Sequence, residues 1–319
     1  MKVCLSEPMF QRLEASLAAM GPDLELVRLQ PDGTYEGDPA GIDVFCFSVD
    51  LASNPDSLAE AGGLLSSESL EWVQAPGAGV EHAIWAQLLD RGVRLTNAAG
   101  VHAEPIAQYV FTYVLNDLRQ VDRHRDQQAR RVWETIVSDD LTAKTIGIVG
   151  MGGIGRATAR IATAFGMEVL GLRRGPIDDP AVDEGFGPGG LSEMLGRSDY
   201  VVLAVPLSDE TRGMIDAAAL AAMKDDAVLI NVARGDVVDE PALISALRSR
   251  SIRGAVLDVT SEEPLGEDSP LWALDNCLIT PHDAGYSPLA GERLGRLFLE
   301  NLAAFRSGSP LRNEVTSTT

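Results

Sequence analysis

The feature that most constrains this chain is an apolar run followed by closely spaced glycines, TIGIVGMGGIGRATARIATAFG. Residues 145–149 are apolar and β-branched, as in a buried strand, and an alanine-rich helical pattern follows over 154–165. Between them, Gly150, Gly152 and Gly155 have the G-x-G-x-x-G spacing of a strand-to-helix turn that binds a pyrophosphate. The pattern therefore predicts a bound dinucleotide; the alternative is a glycine-rich turn without a ligand.

The start of this helix and the end of the next strand predict which dinucleotide binds. The backbone N–H groups of Gly153 and Ile154 are expected to receive the phosphates, because a helix N-terminus favours negative charge. An Asp or Glu about 20 residues further on normally binds the ribose hydroxyls. Here Arg173 and Arg174 stand in that region, and a guanidinium suits a 2′-phosphate. We therefore expect NADP(H) to be preferred over NAD(H); alternatively, the two arginines are solvated loop residues.

Length and composition exclude several classes of protein. A chain of 319 residues suits two domains, and its net charge of −21 disfavours nucleic acid and anionic membranes as partners. No run of eighteen apolar residues is present and the N-terminus lacks a signal-peptide core, so we expect a cytoplasmic protein. Cys4, Cys46 and Cys277 have no metal-ligand or disulfide spacing, which predicts buried thiols and no metal site.

Strands and helices alternate along most of the chain, and this predicts an α/β protein. Residues 1–100 with 286–319 are assigned to a flavodoxin-like substrate domain, and residues 101–285 to a Rossmann dinucleotide-binding domain, each a doubly wound parallel sheet. A helix over about 103–131 is predicted to link the domains. The segment GFGPGG, residues 185–190, is predicted to be a flexible loop.

Three later strands end in ionisable residues, in INVARGDVVDE, VLDVTSEEPL and LITPHDAGYS. Ligands of open α/β sheets bind outside the carboxyl ends of the strands, so Arg234, Glu263 and His282 are expected to converge there. Reduction of a keto acid needs a hydride donor, a cation and an acid, which a dinucleotide, an arginine and a histidine supply. A glutamate against the imidazole would fix its tautomer and favour its protonated form.

Several of these assignments have alternatives in the sequence itself. Glu262 competes with Glu263 as the partner of the imidazole, and Arg234 can instead be an anchor that caps a strand end. The other histidines are interpreted as helix or loop residues, namely His82, His102 and His124.

Together, GIVGMGGIG, VPLSDET, NVARGDVVDE, LDVTSEEPL and TPHDAG resemble, in this order, the D-isomer-specific 2-hydroxyacid dehydrogenases over nearly the whole chain. The resemblance implies that Arg234 binds the substrate, that Glu263 orients His282, and that His282 is the acid/base. It also implies that Asp258 holds the nicotinamide carboxamide. Further cofactor residues implied in the same way are Pro206, Thr211, Val232 and Ala233.

The resemblance also implies a substrate site and an oligomeric state. The segment PGAGVEH matches the family's loop whose backbone binds the substrate carboxylate, which implicates Ala78, Gly79 and Val80. A homodimer through the cofactor domains is implied, with the helix after residue 103 at the interface. Gln108 and Asp283 depart from the residues common at their positions, and Asp283 is expected to face solvent.

The resulting hypothesis is an enzyme that transfers a hydride between NADP(H) and a small 2-keto or D-2-hydroxy acid, similar to glyoxylate/hydroxypyruvate reductases. One alternative is an NAD-dependent dehydrogenase of a D-2-hydroxy acid. Another is a non-catalytic, dinucleotide-sensing protein similar to the family's corepressors, in which the same three ionisable residues occur.

Overall fold

A computed structural model describes residues 1–80 and 82–316, with the backbone alone at 52 and 53. The chain divides into two compact units, Met1–His102 with the chain from Tyr286 onward, and Ala103–Gly285. Each unit contains a seven-stranded, mainly parallel sheet with helices between its strands. The predicted α/β fold of two parallel sheets is therefore confirmed.

In the first unit, five central strands are parallel and short antiparallel strands lie at both edges. Its elements are β1 (Lys2–Ser6), α1 (Glu7–Ala19), β2 (Glu25–Leu29), β3 (Tyr35–Glu36), β4 (Val44–Cys46), α2 (Pro55–Leu65), β5 (Trp72–Gln74), α3 (Ala83–Asp90), β6 (Arg94–Thr96), α10 (Pro288–Arg306) and β14 (Glu314–Val315). The strand order is β14-β6-β5-β4-β1-β2-β3. The sequence did not predict the edge strands β3 and β14, which have only two residues each.

Trp72 joins the C-terminal helix to the core of the first unit. The buried indole stacks on Phe298 of α10, with 5.2 Å between ring centroids, and its Nε1 donates to Thr96 Oγ1 at 2.9 Å. Burial of a large aromatic ring with its N–H satisfied stabilises the return of the chain to this unit. The C-terminal helix α10 therefore packs within the first unit.

In the second unit, all seven strands are parallel, in the order β13-β12-β11-β10-β7-β8-β9. Its elements are α4 (Ala103–Leu118), α5 (Val121–Ala129), β7 (Thr145–Val149), α6 (Gly153–Ala164), β8 (Glu168–Leu172), β9 (Glu184–Phe186), α7 (Leu191–Arg197), β10 (Tyr200–Leu203), α8 (Ala217–Ala222), β11 (Val228–Asn231), α9 (Glu240–Ser249), β12 (Gly254–Leu257) and β13 (Cys277–Ile279). The strand order reverses between β7 and β10. In open α/β sheets a ligand binds at this point, outside the carboxyl ends of the strands.

Two local predictions were wrong. The segment 185–190 is not a flexible loop, because Gly185 and Phe186 pair with β8 and the Phe186 ring is buried. The helix predicted over 103–131 is broken, since Gln120 takes a left-handed φ of 50° between α4 and α5. Asp117, in the last turn of α4, accepts bonds from Tyr200 of β10 and from Arg253, which precedes β12, and these bonds hold the helix end in place.

The cysteines agree in part with the prediction of buried thiols. Cys4 and Cys46 are buried and unpaired, and burial raises the pKa of both thiols. Cys277 is also unpaired but only half-buried. Within the described residues, no helix combines the length and the apolar composition that crossing a membrane requires.

Candidate active site

The glycine turn after β7 has close backbone packing at two of its glycines and open space at the other one. Gly150 has a φ of 105°, and a Cβ atom there would lie 2.5 Å from the carbonyl oxygen of Ala204. A Cβ atom at Gly155 would lie 2.0 Å from the carbonyl oxygen of Gly150. At Gly152, by contrast, a Cβ atom would meet no described atom within 4 Å. The first and third glycines are therefore required by packing, while the second leaves open space for a phosphate at the start of α6.

The residues after β8 present positive charge beside this turn. The backbone N–H of Arg173 donates to Phe186 O at 3.1 Å, so β9 fixes the backbone where the arginine pair begins. Both arginine side chains are exposed, and Arg174 Nη1 lies 3.6 Å from Glu210 Oε2. The order of the strands places β8 and β10 on either side of β7, so the loops after them flank the glycine turn.

The loop after β10 is held by the hydroxyl group of Thr211. This hydroxyl donates to Pro206 O at 2.7 Å and accepts from the backbone N–H of Ser208 at 2.8 Å. Thr211 thus shapes the loop next to the glycine turn. Its role in cofactor binding, and that of Pro206, stay predictions.

Arg234 lies in a tight turn directly after β11. The Asn231 side chain bonds to this turn at two places, accepting from Ala233 N and donating to Arg234 O, both at 3.0 Å. A Cβ atom at Gly235 would lie 2.0 Å from the carbonyl carbon of Thr260, so the turn packs directly on the loop after β12. Val232 and Ala233, assigned to the cofactor by resemblance, are buried.

The guanidinium of Arg234 makes the kind of bond that an anchoring role predicts. Its Nη1 donates to Ala233 O at 2.7 Å. A guanidinium has five N–H donors, so this bond is also compatible with binding of a substrate carboxylate.

Glu263, not Glu262, is the partner of the histidine. Glu263 Oε2 lies 2.7 Å from His282 Nδ1, and its Oε1 accepts from the backbone N–H of Thr260 at 3.1 Å. Glu262 contributes its backbone carbonyl to the loop, accepting from Thr260 Oγ1 at 2.7 Å. Because an ionised carboxylate can only accept, Nδ1 carries a proton and Nε2 is the imidazole atom left to face a ligand. The side chains of His282 and Glu263 are 50% and 37% exposed, so the pair is open to small molecules.

Asp258 builds the loop that carries the histidine. Asp258 is 4% exposed; its Oδ1 accepts from Thr280 Oγ1 at 2.7 Å and from Asp283 N at 3.0 Å. Ala284 N donates to both oxygens at 3.2 Å. Burial raises the pKa of Asp258, and these hydrogen bonds act in the opposite direction. Its proposed contact with the nicotinamide stays a prediction, for which Oδ2 is the less occupied oxygen.

The sequence did not predict this structural role of Asp258. The signal available was an aspartate at the end of an apolar strand, which needs hydrogen-bond donors if it is buried. The side chain of Asp283 is exposed, as predicted, although its backbone N–H takes part in the network.

The loop assigned to the substrate carboxylate belongs to the first unit. It follows β5, and Asn97 Nδ2 donates to Ala78 O at 3.1 Å. Within the described residues, the backbone N–H groups of Ala78, Gly79 and Val80 have no intramolecular acceptor, as an anion-binding loop requires. Carboxylate binding by this loop stays a prediction.

The remaining histidines are interpreted from the sequence as helix or loop residues, and two of them lie at or within helices. His82 precedes α3, where its Nδ1 accepts from the backbone N–H of Ile84 at 3.3 Å, and His124 lies within α5. His102 Nε2 lies 3.3 Å from Pro76 O.

A Rossmann sheet with an open glycine turn and a histidine–carboxylate pair at its carboxyl edge defines the class of nicotinamide-dinucleotide-dependent oxidoreductases. The sequence profile of the D-isomer specific 2-hydroxyacid dehydrogenase, NAD binding domain, matches residues 111–284. The chain belongs to this family and is an NAD(P)-dependent D-2-hydroxyacid dehydrogenase.

Relatives and solved structures agree with this assignment. A glyoxylate reductase of Korarchaeum cryptofilum is 39% identical over 227 residues, which are 68% of each chain. A D-isomer specific 2-hydroxyacid dehydrogenase family protein of Aeromonas salmonicida has a TM-score of 0.84 and 30% identity, over 100% of this chain and 99% of that one. The NADPH-dependent glyoxylate/hydroxypyruvate reductase of Sinorhizobium meliloti, in complex with NADP and sulfate, has a TM-score of 0.76 and 29% identity, over 98% and 97%.

Glu263→Gln tests whether the carboxylate paired with the imidazole supports turnover. A neutral amide keeps the shape but cannot stabilise the imidazolium, so we expect kcat to fall on the order of 100-fold. Glu262→Gln is the matched control, since its side chain does not contact the imidazole, and should keep kcat within about twofold. Steady-state kinetics give kcat for both variants. A similar loss of kcat in both would contradict the role assigned to Glu263.

Proposed function

We propose that this protein is an NADPH-dependent reductase of small 2-keto acids such as glyoxylate and hydroxypyruvate. The observation that carries the proposal is the 2.7 Å contact between His282 Nδ1 and Glu263 Oε2 at the carboxyl edge of the dinucleotide sheet. This contact leaves Nε2 of a partly exposed imidazole as a proton donor, which a carbonyl reduction needs.

Each residue of the proposed site has one task in the reduction. The dinucleotide, when bound, supplies the hydride. His282 Nε2 donates a proton to the carbonyl oxygen as that oxygen becomes an alkoxide, and Glu263 stabilises the imidazolium that exists before this transfer. Arg234 provides the positive charge that binds the substrate carboxylate and polarises the carbonyl.

The preference for NADPH rests on the charge at the end of β8. Arg173 stands where an acidic residue would bind the ribose hydroxyls of NAD, and Arg174 adds a second exposed guanidinium. Two cations without an acidic ribose ligand favour a 2′-phosphate. The NADPH-dependent relative from Sinorhizobium meliloti, solved with NADP, supports the same preference.

Purified protein is expected to oxidise NADPH faster than NADH when given glyoxylate or hydroxypyruvate, with pyruvate, phenylpyruvate and 2-ketoisocaproate included to define chain length. His282→Ala should lower turnover by about 100-fold or more while leaving NADPH affinity nearly unchanged, because the imidazole acts on the substrate. Absorbance at the reduced nicotinamide band gives the rates.

Other results of this assay would support the alternatives. Turnover with NADH alone would contradict the role given to the arginines but would still support reduction of a 2-keto acid. Demonstrable dinucleotide binding without turnover of any of these acids would contradict the proposed reductase and favour a dinucleotide-sensing protein.

Arg173→Asp tests the cofactor preference separately from the chemistry. A carboxylate there repels a 2′-phosphate and can bind ribose hydroxyls, so we expect the Kd for NADPH to rise at least about tenfold more than that for NADH. Arg248→Asp makes the same charge change on the exposed face of α9 and should affect the two cofactors equally. Fluorescence titrations of wild type and both variants with both cofactors measure the six Kd values, and equal shifts for NADPH and NADH in Arg173→Asp would make Arg173 a solvated loop residue.

We further propose that the functional unit is a homodimer formed through the dinucleotide-binding units. Residues 132–140 form neither helix nor strand. Within them, Trp133 and Val137 are fully or nearly fully exposed, with relative exposures of 103% and 88%. Leu278, on the edge strand β13 of the same unit, is also exposed. Large apolar side chains held in solvent are typical of a surface covered by a partner, and a second copy offers the same surface in return.

Trp133→Ser is expected to shift the protein from dimer to monomer, because it removes the largest exposed apolar group of residues 132–140. Trp272→Ser is a control, since that indole is half exposed but donates to Gly266 O of its own loop. Light scattering after size-exclusion chromatography gives the mass. A dimer that survives in Trp133→Ser would place the interface elsewhere.

A further inference from the structure

A chain of hydroxyl groups connects helix α4 to the buried carboxylate of Asp258. The hydroxyl of Tyr109 lies 2.5 Å from Thr280 Oγ1, which in turn lies 2.7 Å from Asp258 Oδ1. A carboxylate only accepts hydrogen bonds, so Thr280 donates its single hydroxyl proton to Asp258. Thr280 Oγ1 must then accept from Tyr109. The direction of both bonds is therefore set, from tyrosine to threonine to aspartate.

The carboxylate at the end of this chain depends on such donors. Asp258 has no lysine or arginine partner among the described residues, and its burial disfavours the charged form. The charge is stabilised by Thr280 Oγ1, by the backbone N–H groups of Asp283 and Ala284, and by the nearby imidazole of His282. A hydroxyl that accepts one bond donates more strongly in the next, so Tyr109 strengthens the bond from Thr280.

The backbone of His282 and of the two residues after it is held by Asp258, through both its carbonyl and its carboxylate. His282 has a left-handed φ of 55°, which a residue with a side chain adopts only when its surroundings hold it. Its N–H donates to Asp258 O at 2.9 Å, and the two residues that follow donate to the Asp258 carboxylate. These bonds set the direction in which the imidazole leaves the backbone, and hence its contact with Glu263.

Tyr109 itself is suited to remain a donor. Burial raises the pKa of its hydroxyl, so it stays protonated across the range in which the enzyme would work. Its ring packs edge-on against Tyr113 of the same helix, with 4.7 Å between centroids, which restricts the rotation that would move the hydroxyl away.

We infer that Tyr109 is a positioning residue for the reduction, acting on His282 through Thr280 and Asp258. The inference rests on the acid/base role of His282 in the proposed function. Tyr109 does not touch the reacting atoms; it keeps Asp258 ionised and in place, and Asp258 keeps the histidine loop in its left-handed geometry.

Tyr109→Phe removes only the hydroxyl and is expected to lower kcat by about tenfold, with KM and the Kd for NADPH within about threefold of wild type. Thr280→Val, which removes both bonds of the relay, should lower kcat further, and Thr280→Ser should restore most of it. Because both substitutions break one chain, the double variant Tyr109→Phe/Thr280→Val should be no slower than Thr280→Val alone. Additive losses in the double variant would overturn the relay.

Tyr200→Phe is the matched control. It removes the hydroxyl of another buried tyrosine in the same unit. That hydroxyl donates to Asp117 at 2.7 Å and takes no part in the histidine loop, so the substitution should leave kcat nearly unchanged. A loss equal to that of Tyr109→Phe would mean a general effect on folding and overturn the inference. Normal kcat in Tyr109→Phe and Thr280→Val, together with an inactive His282→Ala, would also overturn the inference. That result would contradict the role of Tyr109 but not the proposed function. If wild type reduces no 2-keto acid, it is the proposed function that fails.

Discussion

The candidate site depends on the hydrogen bonds that the buried carboxylate of Asp258 accepts. This carboxylate receives a side-chain donor from the end of β13 and backbone donors from the two residues after the histidine. A charge removed from water is tolerated only with such donors, so the loop must wrap around it in one conformation. The aspartate therefore acts first as the centre around which the histidine loop is built.

The rest of the second unit positions this loop relative to the glycine turn. Parallel strands end at one edge, so the segments after β7, β11, β12 and β13 lie along the same side of the sheet. Gly235 has no room for a Cβ atom against Thr260, and Gly155 has none against Gly150. Close backbone contacts thus fix the glycine turn at one place and, at another, pack the turn of Arg234 on the loop after β12.

Much of this could be predicted from the sequence because the signals were local. Apolar runs marked the central strands, and the glycine spacing marked the turn. Position in the sequence alone left both Glu262 and Glu263 open, and only the resemblance to the family implied Glu263; the physical reason, that Thr260 N orients its carboxylate, is visible only in the structure. The left-handed His282 and the contact of Tyr109 with Thr280, far apart in the chain, arise only once the sheet is formed. The short edge strands were not predicted because a pattern cannot be recognised in only two residues.

The acidic surface raises the question of how an anionic cofactor approaches a chain of net charge −21. Glu210 lies 3.6 Å from Arg174, but the two side chains are 70% and 81% exposed, so water and salt screen the pair. A phosphate can form two parallel, charge-assisted bonds to one guanidinium, and it carries more charge than a carboxylate. On the proposed cofactor preference, the 2′-phosphate displaces Glu210 at small cost.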